Sequence, residues 1–139
     1  MIHIGIDTGT HTGFAVWDSE KQKLLEIETL TITQAMDRVL IYRNIGLTIG
    51  REIKLHIEDA RLRKWYGNAG REKLQGVGSV KRDCAIWFDW CKENHIEYRK
   101  VAPKDKPTKM KAEPFNRLTG WCKTTSEHGR DAAMMVFGL

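Results

Sequence analysis

The chain has no run of about 18 apolar residues, so no membrane-spanning helix is expected. Its N-terminus lacks a basic stretch followed by an apolar core, which argues against a secretory leader and for residence in the cytoplasm of the cell that makes it. Cysteine is scarce: three residues, an odd number with no CxxC spacing, which argues against a disulfide framework and against a zinc knuckle. No internal repeat and no low-complexity segment is present. What remains is a chain of 139 residues, 41% hydrophobic and 29% charged, a size and balance that suit one folded domain over residues 1–139. The net charge of +5 leans towards a polyanionic partner, although where the charge sits matters more than its total.

Hydrophobic alternation marks the strands. Ile2, Ile4 and Ile6 alternate with His3, Gly5 and Asp7, and after a Gly/Thr turn the chain returns through Phe14–Trp17 as a hairpin. Leu24–Ile32 predicts a third strand, and Thr33 an N-cap for a helix running to about Leu47, closed by Gly46 and Gly50. Ile53–Glu58 alternates again and ends in acid, like the first strand. Ala60–Gly70, basic, aromatic and rich in glycine, predicts a loop. From about Arg71 to Asn94, Val77, Val80, Cys84, Trp87 and Cys91 step by three and four along one helical stripe. Gly76 and Gly78 near its start suggest close approach of another backbone. Ile96–Val101 is a fifth strand, the lysine-rich 102–112 run is a loop, and Pro114–Trp121 a short helix. Thr124–Glu127 has the T-x-x-E form of a capping box and would open a last helix, Ser126–Phe137. The order implies an α/β fold: a five-stranded mixed sheet with helices on both faces.

Three places carry chemistry. Asp7 ends the first strand and Glu58 ends the fourth. If these strands are parallel neighbours, their C-terminal ends share the sheet edge where ligands bind in open α/β folds. His128 and Asp131, three residues apart, project from one side of the last helix. Gathered carboxylates repel unless a cation neutralises them, and oxygen-rich sets select hard divalent ions. Two such ions about 4 Å apart suit in-line phosphodiester hydrolysis.

Asp7 within IGIDTGTHTGFAV, Glu58 within LHIEDAR, and His128 with Asp131 within EHGRDAAMM together resemble the active-site motifs of RuvC-type Holliday junction resolvases, phage-like or prophage-like members of the RNase H-like nuclease superfamily. The resemblance spans nearly the whole chain, including element order. It implies an RNase H-like fold and a bacterial or phage origin. It also implies a homodimer that cuts four-way or other branched DNA, with two Mg2+ or Mn2+ ions, to leave 5′-phosphate and 3′-hydroxyl ends. Under it, Asp7 bridges both ions, Glu58 helps bind one, and Asp131 and His128 hold the other side. A histidine at 128 shifts preference towards manganese. Glu127 and Asp59 are the neighbouring acids of interest.

Positive charge clusters around these motifs. Arg61, Arg63, Lys64, Arg71, Lys73, Lys81 and Arg82 follow Glu58, and Lys100, Lys104, Lys106, Lys109 and Lys111 follow the fifth strand. Such groups neutralise phosphates and give salt-sensitive binding. Trp65 and Tyr66, inside the first basic loop, are both candidates to stack on unpaired bases. Lys81 and Arg82, in GVGSVKRD, match the family's segment that touches the scissile strand. A lysine among 104, 106 and 109 could stabilise charge on the reacting phosphate. Cys84 and Cys91 are expected as structural thiols. The dimer face is sought at the far end of the long helix (Trp87, Phe88, Trp90) or at Ile41, Ile45 and Leu47. Two other classes compete. The first turn also resembles the phosphate motif of the actin-like ATPases, but 139 residues hold no second lobe; a relative of the YqgF type, processing RNA, suits the length better. A branched-DNA-binding domain without catalysis would keep the basic loops and lose the metal site.

Overall fold

The computed structural model of the chain describes residues 1–62, 71–105 and 109–139; the side chains of 71–75, 77 and 104 lie outside that description as well. Five strands form one sheet: β1 (Ile2–Asp7), β2 (Thr12–Asp18), β3 (Lys23–Leu30), β4 (Ile53–Glu58) and β5 (Tyr98–Val101). Their order across the sheet is β3-β2-β1-β4-β5. The first three are an antiparallel meander, and β4 and β5 add to β1 in parallel, so the sheet is mixed, as expected. The helices are α1 (Ile32–Thr48), α2 (Arg71–Glu93), α3 (Ala112–Thr119) and α4 (Glu127–Met134). Among the described residues, no helix is long and apolar enough to cross a membrane.

Strand alternation sorts the core into two layers. On one side Ile2, Ile4, Ile6, Phe14, Val16, Leu55 and Ile57 pack against Ala35 and Val39 of α1 and Cys84, Trp87, Phe88 and Cys91 of α2. On the other side Ala15, Trp17, Ile27 and Val101 pack against Ala132 and Ala133 of α4, Met135, Val136 and Phe115 of α3. Helices therefore cover both faces of the sheet.

Several boundaries differ from the sequence reading, each for a physical reason. The cap of α1 is Thr31, not Thr33: Thr31 Oγ1 accepts from Gln34 N–H while the Gln34 side chain accepts from Thr31 N–H, a full capping box. The cap of α4 is Ser126, whose Oγ accepts from Gly129 N–H at 2.9 Å. Glu127 therefore sits at the first helical position and closes no box with Thr124. At Gly76 and Gly78 no described atom lies within 4 Å of an added Cβ, so no described backbone approaches there. The close approaches are at Gly5 and Gly13 instead. A Cβ at Gly5 would run into the carbonyl oxygen of Ala132, and one at Gly13 into that of His128. Trp87 and Phe88 are buried, which removes them as an exposed face; the large exposed apolar residues include Ile41, Ile45 and Leu47.

Candidate active site

Register places the two strand-borne acids. β1 and β4 run parallel with Ile6 opposite Ile57, so Asp7 and Glu58 come next at the same ends of neighbouring strands. Glu58 stands opposite Val101 on β5, and Val101 belongs to the layer under α4. Gly13, opposite Asp7 on β2, lies beneath His128. Asp7 and Glu58 thus share the face on which α4 rests.

The glycines bring α4 down to this edge. With hydrogen in place of a side chain at Gly5 and Gly13, the α4 backbone lies directly on β1 and β2, and Gly129 fits against Ile27 and the Glu28 carbonyl. The descent brings His128 to Asp7: Nδ1 stands 2.9 Å from Oδ2, a bond in which the imidazole donates when that nitrogen carries the proton. The Asp7 side chain is 9% exposed and that of His128 50%, so the pair joins a buried acid to an open rim. Asp131, one turn further, is buried. The structure therefore pairs Asp7 with His128 directly and places Glu58 at the end of the neighbouring strand on the same face.

Four neighbours carry more than the sequence reading gives them. His11, exposed on the β1–β2 turn, stacks with His128 at 6.5 Å between ring centroids and 27° between planes. Thr8 and Cys84 are hydrogen-bonded beneath the strand ends. Glu127, noted only as a nearby acid, is ion-paired with Lys109. That contact holds the ammonium above its usual range, with the carboxylates of Asp131 and Asp7 adding to the effect, so Lys109 lies within the field of the site. Lys109 in turn holds the Glu127 carboxyl below its usual range.

The basic candidates divide. Arg61 is exposed but paired: Nε and Nη2 donate to the two oxygens of buried Asp59 at 2.8 and 2.9 Å, and its guanidinium lies 4.8 Å from the Phe88 ring centroid. Hydrogen bonds from Arg61 outweigh burial and keep the Asp59 carboxyl below its ordinary range. Asp59 thus pairs with Arg61. Lys100 approaches the same ring at 4.8 Å. Arg82 is open to solvent and Lys81 half-buried on α2. Arg63, Lys64, Trp65, Tyr66 and Lys106, with the side chains of Arg71, Lys73 and Lys104, lie outside the described residues.

As chemistry, three carboxylates and one imidazole suit a hard divalent ion, with manganese favoured by the nitrogen. As geometry, no three His, Cys, Asp or Glu side chains among the described residues come together closely enough to hold one. No family model matches the sequence, and no curated protein matches it to significance.

Proposed function

We propose that this chain is a divalent-metal-dependent endonuclease of the RuvC-type, RNase H-like class, acting on four-way or other branched DNA. The observation that supports the reading is that Asp7 and Glu58 end neighbouring parallel strands on one face of the sheet and that His128 of α4 meets Asp7 there. The strand order, a three-stranded antiparallel meander extended by two parallel strands, is the arrangement that fold implies. Asp7 and Glu58 with Asp131 and His128 would hold the ions. Bound there, divalent ions supply an activated water and charge neutralisation at the phosphate.

The remaining roles belong to the protein's own groups. His128 orients the Asp7 carboxylate through their hydrogen bond. Lys109, paired with Glu127 in the absence of substrate, offers a cation to the phosphate. At Gly76 and Gly78, one turn before Lys81 and Arg82, no described atom lies within 4 Å of an added Cβ, which would leave a nucleic-acid backbone room to approach α2. A homodimer fits the need for two symmetric cuts at a junction, and the exposed Ile41, Ile45 and Leu47 of α1 offer a face for it.

The second reading, a junction-binding domain without catalysis, draws on one observation: Asp7 and His128 are closed on each other and no third described donor joins them in a metal-binding group. One assay separates the two. Labelled four-way junction, linear duplex and single strand are incubated with Mg2+, with Mn2+ and with chelator. Paired, metal-dependent nicks near the crossover are expected, and Asp7→Asn should bind the junction as wild type does without cutting it. Binding without cutting under every metal condition selects the second reading.

A further inference from the structure

Cys84 on α2 is fully buried, yet its thiol meets polar atoms as well as the apolar layer. Sγ donates to the Glu58 carbonyl oxygen at 3.2 Å and lies 3.2 Å from Thr8 Oγ1, which lies 3.3 Å from the same carbonyl. Two protons serve these three contacts. Both can donate to the carbonyl, which has two lone pairs; or the thiol donates to the carbonyl and the hydroxyl to sulfur; or the hydroxyl donates to the carbonyl and the thiol to the hydroxyl. In each arrangement the Glu58 carbonyl gains a donor and the third edge is a plain contact.

The positions of these residues give the triangle its meaning. Thr8 follows Asp7, Glu58 is itself a candidate ligand, and Cys84 follows Lys81 on α2 by three residues. The β1–β4 pairing runs from Ile2 opposite Ile53 to Ile6 opposite Ile57, so the triangle takes over where that register ends. We infer that Thr8 and Cys84 form a clamp that fixes the ends of β1 and β4 against α2, which makes Cys84 a positioning residue for the Asp7 and Glu58 carboxylates. Its catalytic consequence rests on the nuclease reading above. For packing alone, an aliphatic side chain at 84 would fill the layer. A buried thiol spent on a hydroxyl and a carbonyl adds direction, and its loss leaves the Thr8 hydroxyl to hold the Glu58 carbonyl without it.

The test uses Cys84→Ser, Cys84→Ala, Thr8→Val and the Thr8→Val/Cys84→Ala double variant of the full chain. Hydrogen exchange of the amides at 7–9 and 58–60 is measured without DNA. Junction binding in chelator and single-turnover junction cleavage are measured separately. In Cys84→Ala, exchange at both strand ends should accelerate about fivefold to tenfold and cleavage should slow by a similar factor, with junction affinity within about twofold of wild type. Cys84→Ser, which keeps a donor, should recover most of both losses. The double variant should be little worse than either single one, since both remove the same triangle. Unchanged exchange in Cys84→Ala, with an active wild type, overturns the clamp and leaves the nuclease reading standing. Accelerated exchange with a wild type that cuts no DNA supports the clamp and overturns the nuclease reading.

Discussion

Replacing Gly5 by alanine tests the contact on which the site's geometry depends. The added methyl would run into the Ala132 carbonyl oxygen, with the Ala132 carbonyl carbon at 3.0 Å and Val136 Cγ1 at 3.4 Å. The obstruction is backbone, so no side-chain rotation relieves it. Relief requires α4 to lift from β1 by roughly 1 Å, and a gap of that size forfeits about a quarter to a half of each dispersion contact across it. Ala132, Ala133, Met135 and Val136 are all in that layer. Overpacking of this kind costs about 1–3 kcal/mol, sometimes more, against which the stiffer unfolded chain returns about 0.4–1 kcal/mol. A net loss of about 1–2 kcal/mol is expected. Gly76→Ala is the opposite control. It lies within α2, exposed, with no described atom near the new methyl, so it should gain about 0.5–1 kcal/mol from helix propensity alone. Urea unfolding followed by tryptophan fluorescence, with Trp17 and Trp87 buried in opposite layers, reads both changes. A Gly5→Ala protein as stable as wild type would refute the close docking of α4. A Gly76→Ala protein less stable than wild type would show that a backbone does pack there.

Two further predictions concern pH and charge. Burial first, then His3, Arg99 and Lys54, pull the His56 imidazole down to about 3. The unfolded chain takes up that proton near pH 6.5, so it binds more protons than the folded chain below that pH. Stability should therefore fall as pH drops from about 6.5, by up to about 1.4 kcal/mol per pH unit for this one group. Denaturant midpoints between pH 7.5 and 4.5 check this, and His56→Leu should flatten the slope; an equal slope in the variant would assign it elsewhere. Asp18, 1% exposed at its side chain, accepts from both terminal nitrogens of Arg51 at 2.8 and 2.6 Å. Hydrogen bonding from Arg51 drives its carboxyl far below the usual range, so its stabilisation is present above about pH 4 and lost below it. Asp18→Asn leaves the guanidinium poorly paired and should cost about 3 kcal/mol at pH 7 in calorimetry, with no such cost expected below the titration of the aspartate.

The strands were legible because burial on one side of a strand writes itself as alternation: Ile2, Ile4, Ile6 and Ile53, Leu55, Ile57 could hardly be anything else. The acids at the ends of those strands were legible for the same reason, and so was their shared edge. Helix starts were less so. Around both α1 and α4 two hydroxyl residues compete for the cap, and local preference alone does not choose. Thr31 wins through Gln34, a signal present in the sequence. Ser126 wins through contacts from afar, its hydroxyl bonding Thr29 while the backbone at His128 settles over Gly13. Arg61 shows what a charge count leaves out: in a basic stretch it reads as a phosphate contact, and the structure adds that Asp59 two residues earlier already pairs with it. The Thr8–Cys84 contact joins residues 76 apart in sequence, and no periodicity announces it. The glycines were legible in hindsight. Gly5 and Gly13 occupy strand positions on the α4 side, where a side chain would otherwise be expected, and a glycine in such a place signals close approach of another backbone. The same signal at Gly76 and Gly78 meets no described backbone, whereas Gly5 and Gly13, on either side of Asp7, meet that of α4. The consequence is chemical: the same absence of side chains that lets α4 rest on the sheet also brings His128 within hydrogen-bonding reach of Asp7, so the packing of the helix and the assembly of the site are one event.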